Sequence, residues 1–283
     1  METPRKISCD LITETVRDLF VKASRELGDD VVGVLKEAAA TERSERGRYA
    51  LEAIIENIGI AKDESLPLCQ DTGIAVVFVE VGQDVHIVGG KLTDAIEAGV
   101  RDAYRQAFLR KSVCDPLSRK NTGDNTPAVI HTEIVEGNRI RIVAMPKGGG
   151  SENMGNTTML TPSAGVAGIK GHVVETVRKA GPNPCPPIIV GVGIGGSLEM
   201  SAILAKKALG RSLGAPNPYD NRLARLEEEI LADVNALGIG PQGYGGQTTA
   251  LAIHIEMMPC HIASLPVSVN IQCHAARHEE AVI

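Results

Sequence analysis

The sequence predicts an α/β fold in which mixed β-sheets are flanked by helices, and three observations lead there. Apolar residues recur with a helical period through the first 60 positions. From Ile74 onward, short β-rich runs alternate with helical text. No Ser/Pro-rich linker and no fixed-period repeat divides the 283 residues, so a single domain over 1–283 is the economical reading.

The elements follow in order. Leu11, Ile12, Val16, Leu19, Phe20 and Val21 make one face of a first helix that Gly28 stops, and two more helices are expected before Gly59. Ile74–Val88 reads as a hairpin split by the polar Gly82–Asp84 turn, and 128–135 with 139–146 reads as a second pair around Glu136–Asn138. Between them, Thr93–Lys111 has the cap, length and period of a helix. A glycine loop after Lys147 leads to a helix near Ser163–Lys179, a buried strand at Ile188–Val192 and a helix over Ser197–Leu209. Asn221–Leu237 is a charged surface helix ended by Gly238, and two apolar runs, Leu251–Met257 and Ile262–Ile271, close the pattern.

Composition excludes several functions. The chain carries 29 Lys plus Arg against 35 Asp plus Glu, a net charge of −6, without the polybasic block of a nucleic-acid face. Three Phe, four Tyr and no Trp leave little for recognition by ring stacking. The N-terminus lacks a signal-peptide core and no stretch of about 18 apolar residues runs without charge, so a cytoplasmic protein without a membrane span is expected. A chain of this length buries roughly 75% of its unfolded surface, so any metal is expected to be functional rather than structural. Six widely spaced cysteines read as thiols, either buried or ligating.

Motifs taken one at a time leave the chemistry open. Gly191–Gly196 satisfies G-x-G-x-x-G, but the text some 20 residues on, Pro216–Asp220, cannot form the second strand of a dinucleotide fold; tight packing is the competing reading. Lys147-Gly-Gly-Gly-Ser-Glu-Asn153 offers one cation and a run of amides that can cradle a carboxylate or phosphate, although it is no P-loop. Local text does not choose a ligand triplet among Cys9, Cys69, Cys114, Cys185, Cys260 and Cys273. His86 and His131 alternate within strand patterns, whereas His261 begins a turn twelve residues before Cys273.

Read in order, Leu68-Cys-Gln-Asp-Thr-Gly73, Asn121-Thr-Gly-Asp-Asn-Thr-Pro127, Lys147–Asn153, Cys185-Pro-Pro187, Gly191–Gly196 and Pro259–Pro266 resemble the class I fumarases over nearly the whole chain. Specifically, it resembles the α subunit of two-subunit fumarate hydratase and L-tartrate dehydratase, equivalent to the N-terminal domain of the fused enzymes. The resemblance implies a 4Fe-4S cluster held by Cys69, Cys185 and Cys273, with one iron left open as a Lewis acid. It also implies that Gln70, Arg110, Lys147 with Gly148, Gly149 and Gly150, and His261 line the substrate side, and that Asp71 assists catalysis. The bland alternatives are a surface salt bridge for Arg110 and an Asx-type turn for Gln70 and Asp71.

The proton-abstracting hydroxyl of such enzymes lies in the other half. A β subunit and an assembly of two αβ units are therefore expected, acting on a small dicarboxylate: fumarate and malate first, tartrate or mesaconate as alternatives. An NAD-dependent oxidoreductase using Gly191–Gly196 and a non-catalytic iron–sulfur carrier are the rival readings.

Overall fold

The computed structural model describes residues 4–283. Arg5–Ser8 forms β1, Cys9–Arg25 α1, Asp29–Thr41 α2, Glu45–Asp63 α3, Ile74–Gly82 β2, Val85–Val88 β3 and Leu92–Gln106 α4. Val129–Val135 forms β4, Ile140–Lys147 β5, Gly149–Glu152 α5, Asn156–Leu160 β6 and Gly165–Ala180 α6. Ile188–Gly195 forms β7, Leu198–Ala208 α7, Asn221–Asn235 α8, Ala250–Met258 β8, Leu265–Gln272 β9 and Glu279–Val282 β10. The expected α/β class of mixed sheets with helices is what forms, and the chain divides into two compact units.

The first unit comprises the chain up to Gly28, Ile58–Gly149 and Arg277–Ile283. Its main sheet has the order β10-β5-β2-β4, with β2 parallel to β4 and antiparallel to β5. Neither expected hairpin exists. Ala75–Val79 is buried throughout, and a strand apolar on both faces belongs in the middle of a sheet. β2 accordingly inserts between β4 and β5, while β4, with Ile134 74% exposed, takes the edge. Past the Gly82–Asp84 turn, whose amides bond Arg139, Val135 and Gly137 carbonyls, β3 leaves to pair in parallel with β1.

Helix α1 is capped by Ser8, whose Oγ accepts from Leu11 N at 3.2 Å. Its buried face is Cys9, Ile12, Val16, Leu19, Phe20 and Ala23, so Leu11 and Val21 lie at the margin of the expected stripe. That face packs with Ile96, Val100, Ala103 and Tyr104 of α4 and with the inner residues of β2 and β5. Helix α3 continues through Gly59, and α4 ends five residues before Lys111, in a turn where Phe108 has φ +55°.

The second unit comprises Asp29–Asn57 and Gly150–Ala276. Its sheet has the order β6-β9-β7-β8, with β7 parallel to β8 and antiparallel to β9. Ile169, Val173 and Val177 of α6 and Leu223, Ile230 and Val234 of α8 close over Val190, Val192, Ile253, Ile255, Val267 and Val269. The short strands β1, β6 and β10 carry too few residues for a periodic signal and go unforeseen in the sequence.

The glycine pattern at 191–196 is a packing device. A Cβ on Gly193 would stand 1.9 Å from Ser201 O, and one on Gly191 2.0 Å from Ala205 O, because α7 lies directly on β7. The glycines are consumed by this backbone approach and form no ligand loop. Gly193→Ala is expected to cost about 3 kcal/mol or more through overpacking against backbone. Gly171→Ala, in open space on α6, should instead stabilise by about 1 kcal/mol. Urea denaturation of both variants checks the contrast.

Candidate functional site

In the first unit, the loop before β2 carries Cys69, Gln70 and Asp71. The turn that follows requires glycine: Gly73 has φ +76°, and a Cβ there would meet the Lys147 backbone at 2.5 Å. This contact begins the β2–β5 ladder, Ile74 opposite Lys147. The two motifs are thereby held side by side. Asp71 Oδ1 accepts from Gly73 N at 3.0 Å, and Oδ2 accepts from Gly149 N at 2.7 Å. The Asx turn and the link to the glycine loop are thus made by one carboxylate.

Tyr104 and Asn125 brace this turn from below. Tyr104 Oη donates to Thr72 O at 2.8 Å and Gly73 O at 3.1 Å, and Asn125 Nδ2 donates to Gly73 O at 3.2 Å. Asn125, fully buried with φ +63°, also accepts from Ser112 N and Val113 N. The 121–127 motif therefore supports the candidate site. Its Asn-rich, turn-forming text signalled a special backbone but gave no partner for it. Burial pushes the Tyr104 phenol well up; Arg277 opposes that shift and Asp71 adds to it. The hydroxyl remains a neutral donor.

Lys147 is buried, as is Gly148, while Gly149 and Gly150 are exposed at the short helical turn α5. Thr72 Oγ1 donates to Arg110 O at 2.8 Å, so the Arg110 backbone is tied to the Asp71 loop and its side chain is exposed. Among the described residues Arg110 makes no ion pair, and the surface salt bridge considered for it is not formed. Cys69 is partly exposed, with Sγ 3.4 Å from Gln70 Oε1.

In the second unit, antiparallel pairing of β7 and β9 puts the start of one strand beside the end of the other, Ile189 opposite Gln272. Cys185, three residues before β7, and Cys273, just after β9, therefore share one end of the sheet. His274 joins them: its backbone N donates to Cys185 O at 3.4 Å, and its Nδ1 lies 3.0 Å from the same oxygen. Cys185 is exposed with φ +55°, and Cys273 is partly exposed. Gln242, which no sequence argument selected, fastens the Cys185 turn through Pro186 O, to which its N and Nε2 both donate at 2.7 and 2.8 Å.

His261 is placed elsewhere. Its loop begins at Pro259, whose carbonyl accepts from Gly196 N at the opposite end of β7. The eight residues of β9, roughly 25 Å of extended chain, lie between the His261 loop and Cys273. His261 is exposed, and its Nδ1 accepts from Ala263 N at 3.1 Å.

All six cysteines are free of disulfides. No three His, Cys, Asp or Glu side chains among the described residues converge on one metal ion. Tyr104→Phe tests the bracing: it removes the phenol's bonds to Thr72 O and Gly73 O, leaving Gly73 O with Asn125 alone, and a loss of about 1–3 kcal/mol in urea unfolding is expected.

Against known proteins, the fumarate hydratase (Fumerase) family model matches residues 13–282. A putative L(+)-tartrate dehydratase subunit alpha of Methanocaldococcus jannaschii is 45% identical over 273 residues, covering 94% of this chain and 95% of the relative. The L(+)-tartrate dehydratase subunit alpha of Escherichia coli K12 is 34% identical over 282 residues, covering 98% and 92%. With the motif order of its sequence matched almost end to end, the chain belongs to the fumarate hydratase (Fumerase) family of hydro-lyases.

Proposed function

We propose that this chain is the α subunit of a cytoplasmic hydro-lyase that hydrates fumarate to malate reversibly, with a 4Fe-4S cluster held by Cys69, Cys185 and Cys273. The observation that carries the reading is the sharing of one sheet end by Cys185 and Cys273, fastened through His274. Their exposure and thiol chemistry fit an iron–sulfur group. When bound, the cluster supplies an open iron that polarises a substrate oxygen. Names of the relatives favour a second substrate, L(+)-tartrate.

The chain's own groups supply the rest. Lys147 and the amides of Gly148, Gly149 and Gly150 receive a carboxylate, Arg110 offers an exposed guanidinium for its partner, and Gln70 donates a neutral hydrogen bond. Asp71 fixes the Gly149 amide, and each of its oxygens keeps a further lone pair for a proton in transit. His261 stands at the far end of β9 from Cys273, so the substrate contact implied by the resemblance needs its loop to meet the ligand from another face of the assembly. Since the matched relatives are named alpha subunits, a β subunit is proposed to supply the proton-abstracting hydroxyl, in an assembly of two αβ units.

Replacement of Cys69, Cys185 or Cys273 by Ser is expected to lower iron and sulfide after anaerobic reconstitution, whereas Cys114→Ser and Cys260→Ser should retain both. A full cluster in any of the first three removes that ligand. In the αβ complex, Arg110→Ala and Lys147→Ala should raise KM about tenfold or more, consistent with a charged contact of roughly 1.5–3 kcal/mol. Asp71→Asn should lower turnover with the cluster intact. The reconstituted α chain alone should be silent toward fumarate and L(+)-tartrate and gain activity on adding β; turnover without β refutes the split site.

A further inference from the structure

We propose that the outer edge of β4 joins this chain to a second copy of itself, the two strands pairing antiparallel about a two-fold axis at Thr132. The proposal rests on the proposed function only in that two α chains share one assembly; it needs neither the cluster nor a substrate.

The main sheet of the first unit ends at β4, which pairs with β2 and with no other strand among the described residues. Val135 O accepts from Gln83 N at 2.8 Å, so the polar groups of Val135 face β2. A strand alternates with a period of two, and the register with β2 runs unbroken from Val129 to Val135. The N–H and C=O groups of Ile130, Thr132 and Ile134 therefore point away from β2, toward the outer edge. Such a row is a template for another strand, and proteins usually blunt it with proline, lysine or brevity. The opposite edge of the sheet obeys that rule, since β10 has four residues and two of them are Glu. The edge at β4 does not: it is seven residues long, contains neither Pro nor Lys, and leaves Val129 38% and Ile134 74% exposed.

Its sequence matches one partner in particular. Val-Ile-His-Thr-Glu-Ile-Val reads the same in both directions except at His131 and Glu133, and those two are complementary. Antiparallel pairing of two copies about Thr132 sets Val129 opposite Val135, Ile130 opposite Ile134 and His131 opposite Glu133, each of them twice. The residues whose polar groups face outward then meet one another, Thr132 with Thr132 and Ile130 with Ile134, giving about six backbone hydrogen bonds. His131 and Glu133 fall in the closer, non-hydrogen-bonded pairs, where a donor opposite a carboxylate counts most. Neighbouring registers lose this match. An axis at His131 sets His opposite His, and one at Glu133 sets two carboxylates face to face, on a face where Glu80 is already the β2 neighbour of Glu133. About Thr132, the exposed Ile134 instead comes to lie beside the second copy's Ile130, a residue that packs on the core, and an apolar side chain leaves water.

The test is sedimentation equilibrium of the reconstituted αβ complex. A ladder of seven residues is small beside the roughly 1,600 Å² of a standard interface, so two αβ units are expected to associate with a constant of about micromolar order. Thr132→Pro removes the two N–H donors at the axis and, on an edge strand, is compatible with the fold; it should weaken association about tenfold or more. His131→Glu puts Glu opposite Glu, and Glu133→Lys puts Lys opposite His, so each alone should weaken association about tenfold. An equimolar mixture of these two variants sets unlike charges opposite each other at both positions and should associate within about threefold of wild type. A side chain that merely stabilised its own strand would not be rescued by mixing, and should Thr132→Pro fail to fold, the mixture decides alone. Wild type found as a single αβ unit at about 100 μM overturns this inference and the two-unit assembly together. A two-unit assembly indifferent to all three substitutions, or a mixture no tighter than its parts, overturns only the β4 contact. A wild-type complex that pairs through β4 but is inactive on every four-carbon dicarboxylate overturns the hydro-lyase reading and leaves this inference standing.

Discussion

The backbone contact between Gly73 and Lys147 sets the geometry of the first unit's candidate site. A side chain at Gly73 would collide with the Lys147 peptide, so only glycine lets the loop after Cys69 turn there and enter β2. Because Ile74 then pairs with Lys147, the Asp71 loop just before β2 and the Gly148–Gly149 turn just after β5 are placed by one register. Asp71 exploits that closeness, taking an N–H from each side. Tyr104 and Asn125 spend their polar groups on the carbonyls of the turn, which would otherwise be buried without donors.

A similar economy governs the second unit. The β7–β9 ladder makes neighbours of two cysteines 88 positions apart, and α7 presses on β7 so closely that Gly191 and Gly193 have no room for side chains. Sheet register, rather than any local loop, is what brings Cys185 to Cys273. The same register carries the His261 loop to the other end of the strand. Twelve residues of sequence separation suggested proximity to Cys273; an extended chain turns them into distance.

These cases mark what a single sequence can reveal. The buried stripe of α1 and the surface helix at 221–235 were legible because a 3.6-residue period is a local property. Cys69, Cys185 and Cys273 were legible only through the ordered motifs around them. Strand pairing was not, since β2 meets β4 in parallel and β5 in reverse, and nothing in the turns at 82–84 or 136–138 declares that β2 will lie between the other two. A clue existed in the unbroken apolar run of β2, which suits a central strand better than one arm of a hairpin. Arg277 gave no signal at all, because its burial depends on a long-range fold and its nearest sequence neighbours are ordinary.

Electrostatics explains why burial matters at the proposed site. The chain has a net charge of −6, which would repel a dicarboxylate if all its charges acted equally. They do not: exposed carboxylates more than about 8 Å away are screened at physiological ionic strength. Lys147 and Arg277 are both nearly inaccessible to water, so their fields reach the glycine turn with little attenuation. The arrangement also favours a ligand that must lose its own hydration on entering, because fixed buried charges need no reorganisation to receive it. Asp71 sets the shape of the turn: without that carboxylate, the loop that exposes the Gly149 amide would lose the bond that aims it.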